Sequence, residues 1–258
     1  VSLTRIGINT ICEKWQRLLG DDATISYITP EYLQGKYPAV VTDDNIFIAS
    51  HILPNEMLAQ HILELNLGEA LCYNDSGAGK KSVIAFRCSK SGYKDRNIAP
   101  TVVLDQCPDH IYNIYDVFMK NGEQMLADYK AITKGRRSQP ISVTNTIIGN
   151  PTFDDGTSKI FIEEGASVEG TFLNVNNGPI YIGRNSEIME GSCIRAPFAA
   201  CDDSHVNMGT KIYGATTIGP FCKVGGELNN VVMLGYSNKA HDGFLGNAVI
   251  GEWCNIGG

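Results

Sequence analysis

From Ile182 onward, every sixth residue is aliphatic or small, and this register continues unbroken to Val224. Its members are Ile182, Ile188, Ile194, Ala200, Val206, Ile212, Ile218 and Val224. A period of six does not fit an α-helix, because at about 3.6 residues per turn such residues spread around the helix surface. It fits a chain that turns a corner every six residues and stacks each flat segment on the one below. The repeat therefore predicts a parallel β-helix in which each sixth side chain points into a narrow core.

The residue types around the hexads agree with this prediction. Ile and Val are compact, and their branched side chains favour strands. Further hexads are expected at Ile162 and Val168 before the run, and at Ile250 and Ile256 after it. Glycine follows the hexad position at several corners, where we expect the backbone to need conformational freedom: Gly183, Gly219, Gly225 and Gly251.

Composition limits the classes of partner. The formal net charge of -7 and the lack of a basic block argue against a nucleic-acid partner. No apolar run approaches the roughly 18 residues of a membrane-spanning helix, and no signal-like segment is visible. The eight cysteines form no CxxC pair, which is typical of free thiols in a reducing compartment. These features predict a cytoplasmic protein with no membrane partner.

The first 140 residues have a different organisation. Thr10 and Glu13 form a capping-box pattern before a helix that should end at Gly20. Strands are expected at residues 25–28, 46–48 and 83–86, and helices at residues 54–65 and 111–132. This alternation predicts an α/β domain over residues 1–140 and a β-helix domain over residues 141–258, joined by the linker GRRSQP at residues 135–140. The repeat should begin near Ile147. No Met starts the chain, and the last hexad begins at Ile256, so we expect both domains to be incomplete.

Two motifs in the chain do not support a site. Residues 76–82 (SGAGKKS) are similar to a phosphate-binding loop, but the pattern would need Gly at Asn74 and Ser or Thr at Lys81. A surface turn is the better interpretation. His205 and His241 in the repeat half are too few for the three-histidine zinc site of some β-helix enzymes, so we expect no metal site there.

After Val224 the register slips. Ile250 lies 26 residues after Val224 rather than 24, which predicts a segment that protrudes between about residues 229 and 244. His241 lies in this segment, within GYSNKAHDGFLG at residues 235–246. Loops on a rigid repeat often carry functional sites, and an imidazole has the right basicity for a general base near neutral pH. The alternative is a loop histidine with no chemical role.

Residues 219–258 (GPFCKVGGELNNVVMLGYSNKAHDGFLGNAVIGEWCNIGG) resemble the acetyltransferase half of the bacterial bifunctional enzymes that make UDP-N-acetylglucosamine. With IGINTICEKW at residues 6–15, EIMEGSCIR at 187–195 and KIYGATTIGP at 211–220, the chain is similar to the GlmU-like sugar nucleotidyltransferase and glucosamine-1-phosphate N-acetyltransferase family. The resemblance implies a left-handed β-helix of the hexapeptide-repeat type, acetyl-CoA as co-substrate, and a homotrimer with active sites between adjacent subunits.

The resemblance also implies roles for individual residues. His241 corresponds to the catalytic base. Phe244 stands where the family has a substrate-contacting tyrosine, and it lacks the hydroxyl. Asn255 corresponds to an acceptor-binding asparagine, and Lys223 stands near a basic phosphate-binding position. Lys239 has a family counterpart in the same loop and is expected to attract substrate phosphates.

The first half departs from the nucleotidyltransferases that it resembles. Those enzymes carry a Gly-rich loop at the N-terminus and an acidic Mg²⁺ ligand after a central strand. Here the central strand reads IFIASHILPN at residues 46–55 with no Gly-Asp pair, and Asp43 and Asp44 precede it. Mg²⁺ is therefore expected only if this half is active.

The sequence and the resemblance leave three candidate functions. The first is an acetyl-CoA-dependent N-acetyltransferase acting on a hexosamine 1-phosphate in UDP-N-acetylglucosamine-type sugar-nucleotide synthesis. The second is a uridylyl- or thymidylyltransferase acting on a sugar 1-phosphate, with a β-helix that serves oligomerisation. The third is a non-enzymatic scaffold or sugar-nucleotide sensor, against which the His241 segment argues.

Overall fold

The computed structural model describes residues 1–20, 22–75, 80–95 and 99–257. Internal packing divides the chain into two compact units. The first consists of Val1–Leu3 and Ile11–Ile111, and the second of Thr4–Thr10 and Tyr112–Gly258. The glycine- and serine-rich stretch of the rejected phosphate-loop motif, residues 76–79, lies outside the described residues.

The first unit is an α/β arrangement, as predicted. Its helices are α1 (Ile11–Leu19), α2 (Glu56–Leu63) and α3 (Lys90–Asp95), with a short 3₁₀ turn at Glu31–Leu33. Its strands are β1 (Asn45–Ile48), β2 (Glu69–Asp75), β3 (Lys80–Cys88) and β4 (Ala99–Leu104). They form a four-stranded sheet in the order β1-β3-β2-β4, in which β2 and β4 are parallel and the other pairs antiparallel.

Local sequence signals predicted several elements of this unit correctly and one strand wrongly. Helix α1, helix α2 and strand β1 are confirmed, and Asn55 caps α2 by accepting a hydrogen bond from the Leu58 N–H at 2.9 Å. The strand expected at residues 25–28 is wrong. There the hydroxyl of Ser26 exchanges hydrogen bonds with the backbone of Val40, at 3.0 and 3.1 Å, and no ladder forms.

Helix α4 (Ile114–Thr133) matches the helix predicted at residues 111–132 but begins three residues later. Its start is fixed by Asp116, whose carboxylate accepts the Asn113 N–H at 2.7 Å. This helix packs within the second unit, so the division at residues 111–112 lies ahead of the domain boundary expected at 140. The boundary at 140 rests on composition and stays a prediction.

The second unit is a parallel β-solenoid, which confirms the fold predicted from the hexads. One face consists of five stacked strands, β7 (Ser167–Val168), β10 (Glu187–Ile188), β13 (His205–Val206), β16 (Lys223–Val224) and β18 (Asn238–Lys239). A second face stacks β5 (Thr146–Ile148), β8 (Phe172–Asn174), β11 (Cys193–Arg195) and β14 (Lys211–Tyr213). A third stacks β6 (Ile160–Ile162), β9 (Ile180–Ile182), β12 (Phe198–Ala200) and β15 (Thr216–Ile218). The long strands β17 (Glu227–Gly235) and β19 (Phe244–Glu252) belong to both of the last two faces.

The hexad side chains form the core of this solenoid. Every member of the run from Ile182 to Val224 is at most 1% exposed, and Ile162 and Val168 are buried as well. Parallel pairing places each hexad residue over its counterpart one coil earlier, as Ala200 lies over Ile182, three hexads before it. The period in the sequence is therefore the spacing of the core columns.

Three of the four glycines predicted after the hexads are needed for a reason other than the expected one. Gly183, Gly219 and Gly225 do not have positive φ angles. A Cβ on Gly183 would instead lie 2.6 Å from the backbone N of Asp202, and a Cβ on Gly219 would collide with the Met233 carbonyl oxygen. These glycines allow the next coil to approach closely.

The third face of the solenoid is covered by other parts of the second unit. Five of its outward-pointing side chains are buried: Phe161, Tyr181, Ala199, Thr217 and Val232. Ile8 from the N-terminal segment and Met125 and Tyr129 from α4 form one apolar cluster with the first three of these side chains. The segment at residues 4–10 therefore contacts both α4 and this face of the solenoid.

Buried polar groups hold the N-terminal segment in place. Asn121 accepts the Gly7 N–H at 2.7 Å, and Asp128 accepts the N–H groups of Ile8 and Asn9 at 2.9 and 3.0 Å. The Thr217 hydroxyl donates to the Gly7 carbonyl oxygen at 2.8 Å. Since buried backbone groups are costly when unpaired, this network stabilises one specific placement of the segment.

An ion pair fastens the chain after α4 to the same face. Arg136 forms a two-pronged bond with Glu163 at 2.9 and 2.6 Å, and Tyr181 donates to the same carboxylate at 2.8 Å. Burial, together with the neighbouring Glu163, raises the pKa of Tyr181. A surface depression of about 410 Å³ beside this point is lined by Arg137, Ser138, Gln139 and Pro140, and no predicted site residue lines it.

The cysteines should differ widely in reactivity. Burial raises the pKa of Cys222 to about 11, whereas Cys107 and Cys193 are exposed. Because the thiolate is the reactive form, we expect iodoacetamide at pH 8 to modify Cys222 about 100-fold more slowly than Cys193. Peptide mass spectrometry over a time course measures both rates. In denaturant the two rates should become equal, and equal rates in the native protein would contradict the buried placement of Cys222.

Candidate functional site

The slip in the hexad register is not a protruding loop, so this prediction is wrong. Val224, Leu228, Met233 and Lys239 occupy successive core columns, and the steps between them are four, five and six residues. Ile250 lies over Met233, one coil further on. The interval from Val224 to Ile250 therefore contains a further coil whose corners are shortened, and the chain does not leave the solenoid.

His241 lies in the corner formed by residues 240–243, between β18 and β19, and it is exposed. Three hydrogen bonds fix the backbone of this corner. The Asn207 amide donates to the Ala240 carbonyl oxygen at 3.0 Å, and the Lys239 ammonium donates to the His241 carbonyl oxygen at 2.6 Å. The Glu227 N–H donates to the Gly243 carbonyl oxygen at 3.0 Å. The corner thus presents a solvent-facing imidazole on an anchored backbone.

Two consecutive glycines in the preceding coil, Gly225 and Gly226, lie directly against the backbone of this corner. A Cβ on Gly226, whose φ is +76°, would lie 2.7 Å from the Gly243 carbonyl oxygen. A Cβ on Gly225 would collide with the Ala240 carbonyl oxygen. Only glycine at both positions lets the corner rest directly on the coil below.

Replacing Gly225 by alanine should therefore displace the corner and lower the free energy of unfolding by about 2 kcal/mol. Gly251→Ala is the matched control, because Gly251 also follows a hexad residue but its nearest neighbour, the Cys254 sulfur, would be 3.7 Å from the new Cβ. Urea denaturation measures both changes. A Gly251→Ala variant as unstable as Gly225→Ala would contradict the assignment of the cost to the corner.

Lys223 and Asn255 are brought together on the outer surface of one face. Lys223 on β16 lies beside Asn238 on β18, and Asn238 forms a parallel bridge with Asn255. The Asn238 amide donates to the Asn255 side-chain oxygen at 3.0 Å. The three side chains thus form an outward column on successive coils, which continues on the other side to His205, paired with Glu187 at 3.3 Å.

Asn238 and Asn207 were missed as site residues by sequence reasoning. Asn238 directly precedes the core position Lys239, as Lys223 precedes Val224. The available signal was therefore its place directly before a core residue, because residues that precede core positions on the same face share one outward column. Asn207 reaches the His241 corner from 33 positions earlier in the chain, and no local pattern marks it.

Lys239 and Phe244 have contrasting environments. Lys239 lies over Val224 in a core column and is 5% exposed, so its ammonium faces the inside of the His241 corner. This burial disfavours direct contact with a phosphate, and the substrate-binding role implied by the resemblance stays a prediction. Phe244 is exposed, and its ring lies over Gly246, where a Cβ would be 2.7 Å from the ring carbon Cε1.

The first unit contains no acidic cluster suited to a metal among its described residues. Asp44, which the sequence placed before the central strand, forms an ion pair with Arg87 at 2.6 Å. Its hydrogen bond to Arg87 lowers the pKa of the Asp44 carboxyl. The guanidinium of Arg87 therefore already neutralises this carboxylate.

Among the helices that the structure describes, none has the length and apolarity needed to cross a membrane.

A comparison with protein-family models matches residues 1–137 to the family described as sugar nucleotidyl transferase. The match covers more than half of the chain and includes the whole first unit. It ends before β5, so the solenoid strands and the corner with His241 lie outside the matched residues. A search of curated proteins finds no match.

Proposed function

The chain belongs to the sugar nucleotidyl transferase family and is a transferase, and from this premise we propose that its solenoid transfers an acetyl group from acetyl-CoA to the amine of a hexosamine 1-phosphate. The observation that carries this proposal is the exposed imidazole of His241 on a corner fixed by three hydrogen bonds. An exposed base on a fixed backbone is accessible to a substrate and can hold one orientation towards it, which supports a role in general-base catalysis.

The proposed reaction begins with the ammonium group of the sugar, which cannot attack a thioester. His241 takes one proton from it, and the free amine attacks the acetyl carbonyl carbon. The C–N bond forms and the C–S bond breaks. As the amide forms, its nitrogen releases a second proton to solvent, and the departing CoA sulfur takes up the proton that the imidazole acquired, so His241 returns to its neutral form.

Substrate binding is assigned to the outward column and to the residue after the corner. Lys223 is exposed and supplies a positive charge for the sugar phosphate, while the Asn255 amide offers polar atoms for the sugar hydroxyls. Phe244 offers an exposed ring against which an apolar sugar face or acyl group can pack. In a homotrimer, as the resemblance implies, a neighbouring subunit would complete the site.

A second candidate is nucleotidyl transfer in the first half, with the solenoid serving assembly. The family match at residues 1–137 is the observation that favours it. This activity would require Mg²⁺, for which Asp44 is poorly suited because Arg87 occupies its carboxylate.

The test uses the full-length protein with acetyl-CoA and glucosamine 1-phosphate, and mass spectrometry detects the N-acetylated sugar phosphate. Glucosamine without the phosphate serves as the matched substrate, and we expect it to react more than about 10-fold more slowly because Lys223 loses its partner. A parallel reaction contains N-acetylglucosamine 1-phosphate, UTP and Mg²⁺, and follows pyrophosphate release.

The two arms separate the candidates. Acetylated product supports the acetyltransferase. Pyrophosphate release without acetylated product would overturn the proposal in favour of nucleotidyl transfer. Neither product, in a protein that remains folded by circular dichroism, would overturn both and leave the scaffold or sensor.

A further inference from the structure

A lysine occupies a position in the solenoid core that the repeat otherwise reserves for aliphatic residues. The column on the five-stranded face runs through Val168, Ile188, Val206 and Val224, and Lys239 lies directly over Val224. All five side chains are buried. Burying a cation costs free energy unless polar groups compensate, so this substitution needs a specific reason.

The contacts of the ammonium point to the His241 corner. Its Nζ donates to the His241 carbonyl oxygen at 2.6 Å and lies 3.9 Å from the position that a Cβ would take on Gly243. Among the described residues, no carboxylate lies within ion-pair distance of it. The side chain thus extends from the core to the inner side of the corner formed by residues 240–243.

We propose that Lys239 is a positioning residue for His241. The ammonium fixes the backbone of the corner from within, while Asn207 and Glu227 fix it from the coils below. Its charge makes the bond to the carbonyl stronger than a bond between neutral groups. The catalytic part of this inference rests on the proposed function, whereas the anchoring of the corner stands independently of it.

This role differs from the phosphate contact implied by the resemblance. A phosphate ligand would have to leave the core column, whereas Lys223 in the adjacent coil is already exposed. The two roles predict different kinetics. Loss of a phosphate ligand raises KM for the substrate, and loss of a positioning residue lowers kcat because fewer molecules hold the imidazole in place.

The test variant is Lys239→Met, which keeps an unbranched apolar side chain in the column and removes the donor. We expect kcat for acetyl transfer to fall about tenfold with KM for both substrates changed less than about twofold. Lys134→Met is the matched control, since Lys134 is exposed at the end of α4, and it should leave kcat and KM unchanged.

A second measurement does not depend on activity. The Glu227 N–H donates to the Gly243 carbonyl oxygen, so its hydrogen exchange reports opening of the corner. We expect this amide to exchange about tenfold faster in Lys239→Met than in the parent protein or in Lys134→Met. Lys239→Leu takes the place of the Met variant if the latter does not fold.

The outcomes are distinct. A raised KM with unchanged kcat would identify Lys239 as a substrate ligand and overturn the inference. Unchanged exchange at Glu227 would also overturn it. If the parent protein transfers no acetyl group, the proposed function fails, and the exchange measurement alone then decides whether Lys239 anchors the corner.

Discussion

The His241→Ala variant should lose at least about 100-fold in the rate of acetyl transfer, the contribution typical of a positioned general base. The expectation follows from the chemistry and the geometry together. The ammonium form of the sugar amine has no lone pair with which to attack the thioester, so the reaction needs a group that accepts its proton. His241 offers an exposed imidazole on a backbone held by Asn207, Lys239 and Glu227.

The measurement is the steady-state rate of formation of the N-acetylated sugar phosphate at saturating acetyl-CoA. Removal of a base should lower kcat and leave KM for the sugar phosphate nearly unchanged. His61→Ala is the matched control, because it removes a half-buried imidazole from α2 in the first unit. Full activity in His241→Ala, or an equal loss in His61→Ala, would refute the assignment of the base.

Gly7→Ala should lower the free energy of unfolding of the second unit by about 3 kcal/mol. Gly7 has a φ of +74°, and a Cβ there would lie 2.6 Å from the Asp128 carboxylate and 2.7 Å from the Gln124 backbone. Both the left-handed backbone and the collision add to the cost. Relief would require the N-terminal segment to move away from α4, which would break the bonds to Asn121 and Asp128.

Gly135→Ala separates these two contributions. Gly135 has a nearly identical φ of +71° and also lies in the second unit, but a Cβ added there would have no neighbouring atom within 4 Å. It should cost only the backbone strain, about 1 kcal/mol. Urea denaturation followed by circular dichroism measures both variants. Equal losses would mean that the collision with Asp128 and Gln124 contributes nothing.

The hexads made the solenoid predictable because their period is a physical spacing. Each sixth residue enters the core wherever every corner takes the same number of residues, so the run from Ile182 to Val224 correctly predicted both the fold and its buried residues. The same rule failed at the next coil, where two corners are shortened. A count of residues between hexads cannot distinguish an inserted loop from a further coil with deletions, and pairing between strands resolves the two.

The candidate site was predictable in part. Lys223 and Asn255 each precede a hexad residue, so both were expected to face outward, but the spacing between them is not a multiple of six and only the strand pairing shows that they share a column. The burial of Lys239 does not follow from composition, because a lysine in a polar segment is normally solvated. The hydrogen bond from Asn207 to the corner joins two coils, and local sequence patterns carry no information about such contacts.

By itself, the sequence determined the solenoid, the alternation of helices and strands before it, and the segment that contains His241. These follow from periodicity and from local capping, which act between near neighbours along the chain. Only the tertiary structure decided that residues 4–10 and α4 cover one face, and that the His241 segment is a corner seated on two glycines. Those features arise from close packing between distant residues, where exclusion of overlapping atoms and pairing of buried polar groups select one arrangement.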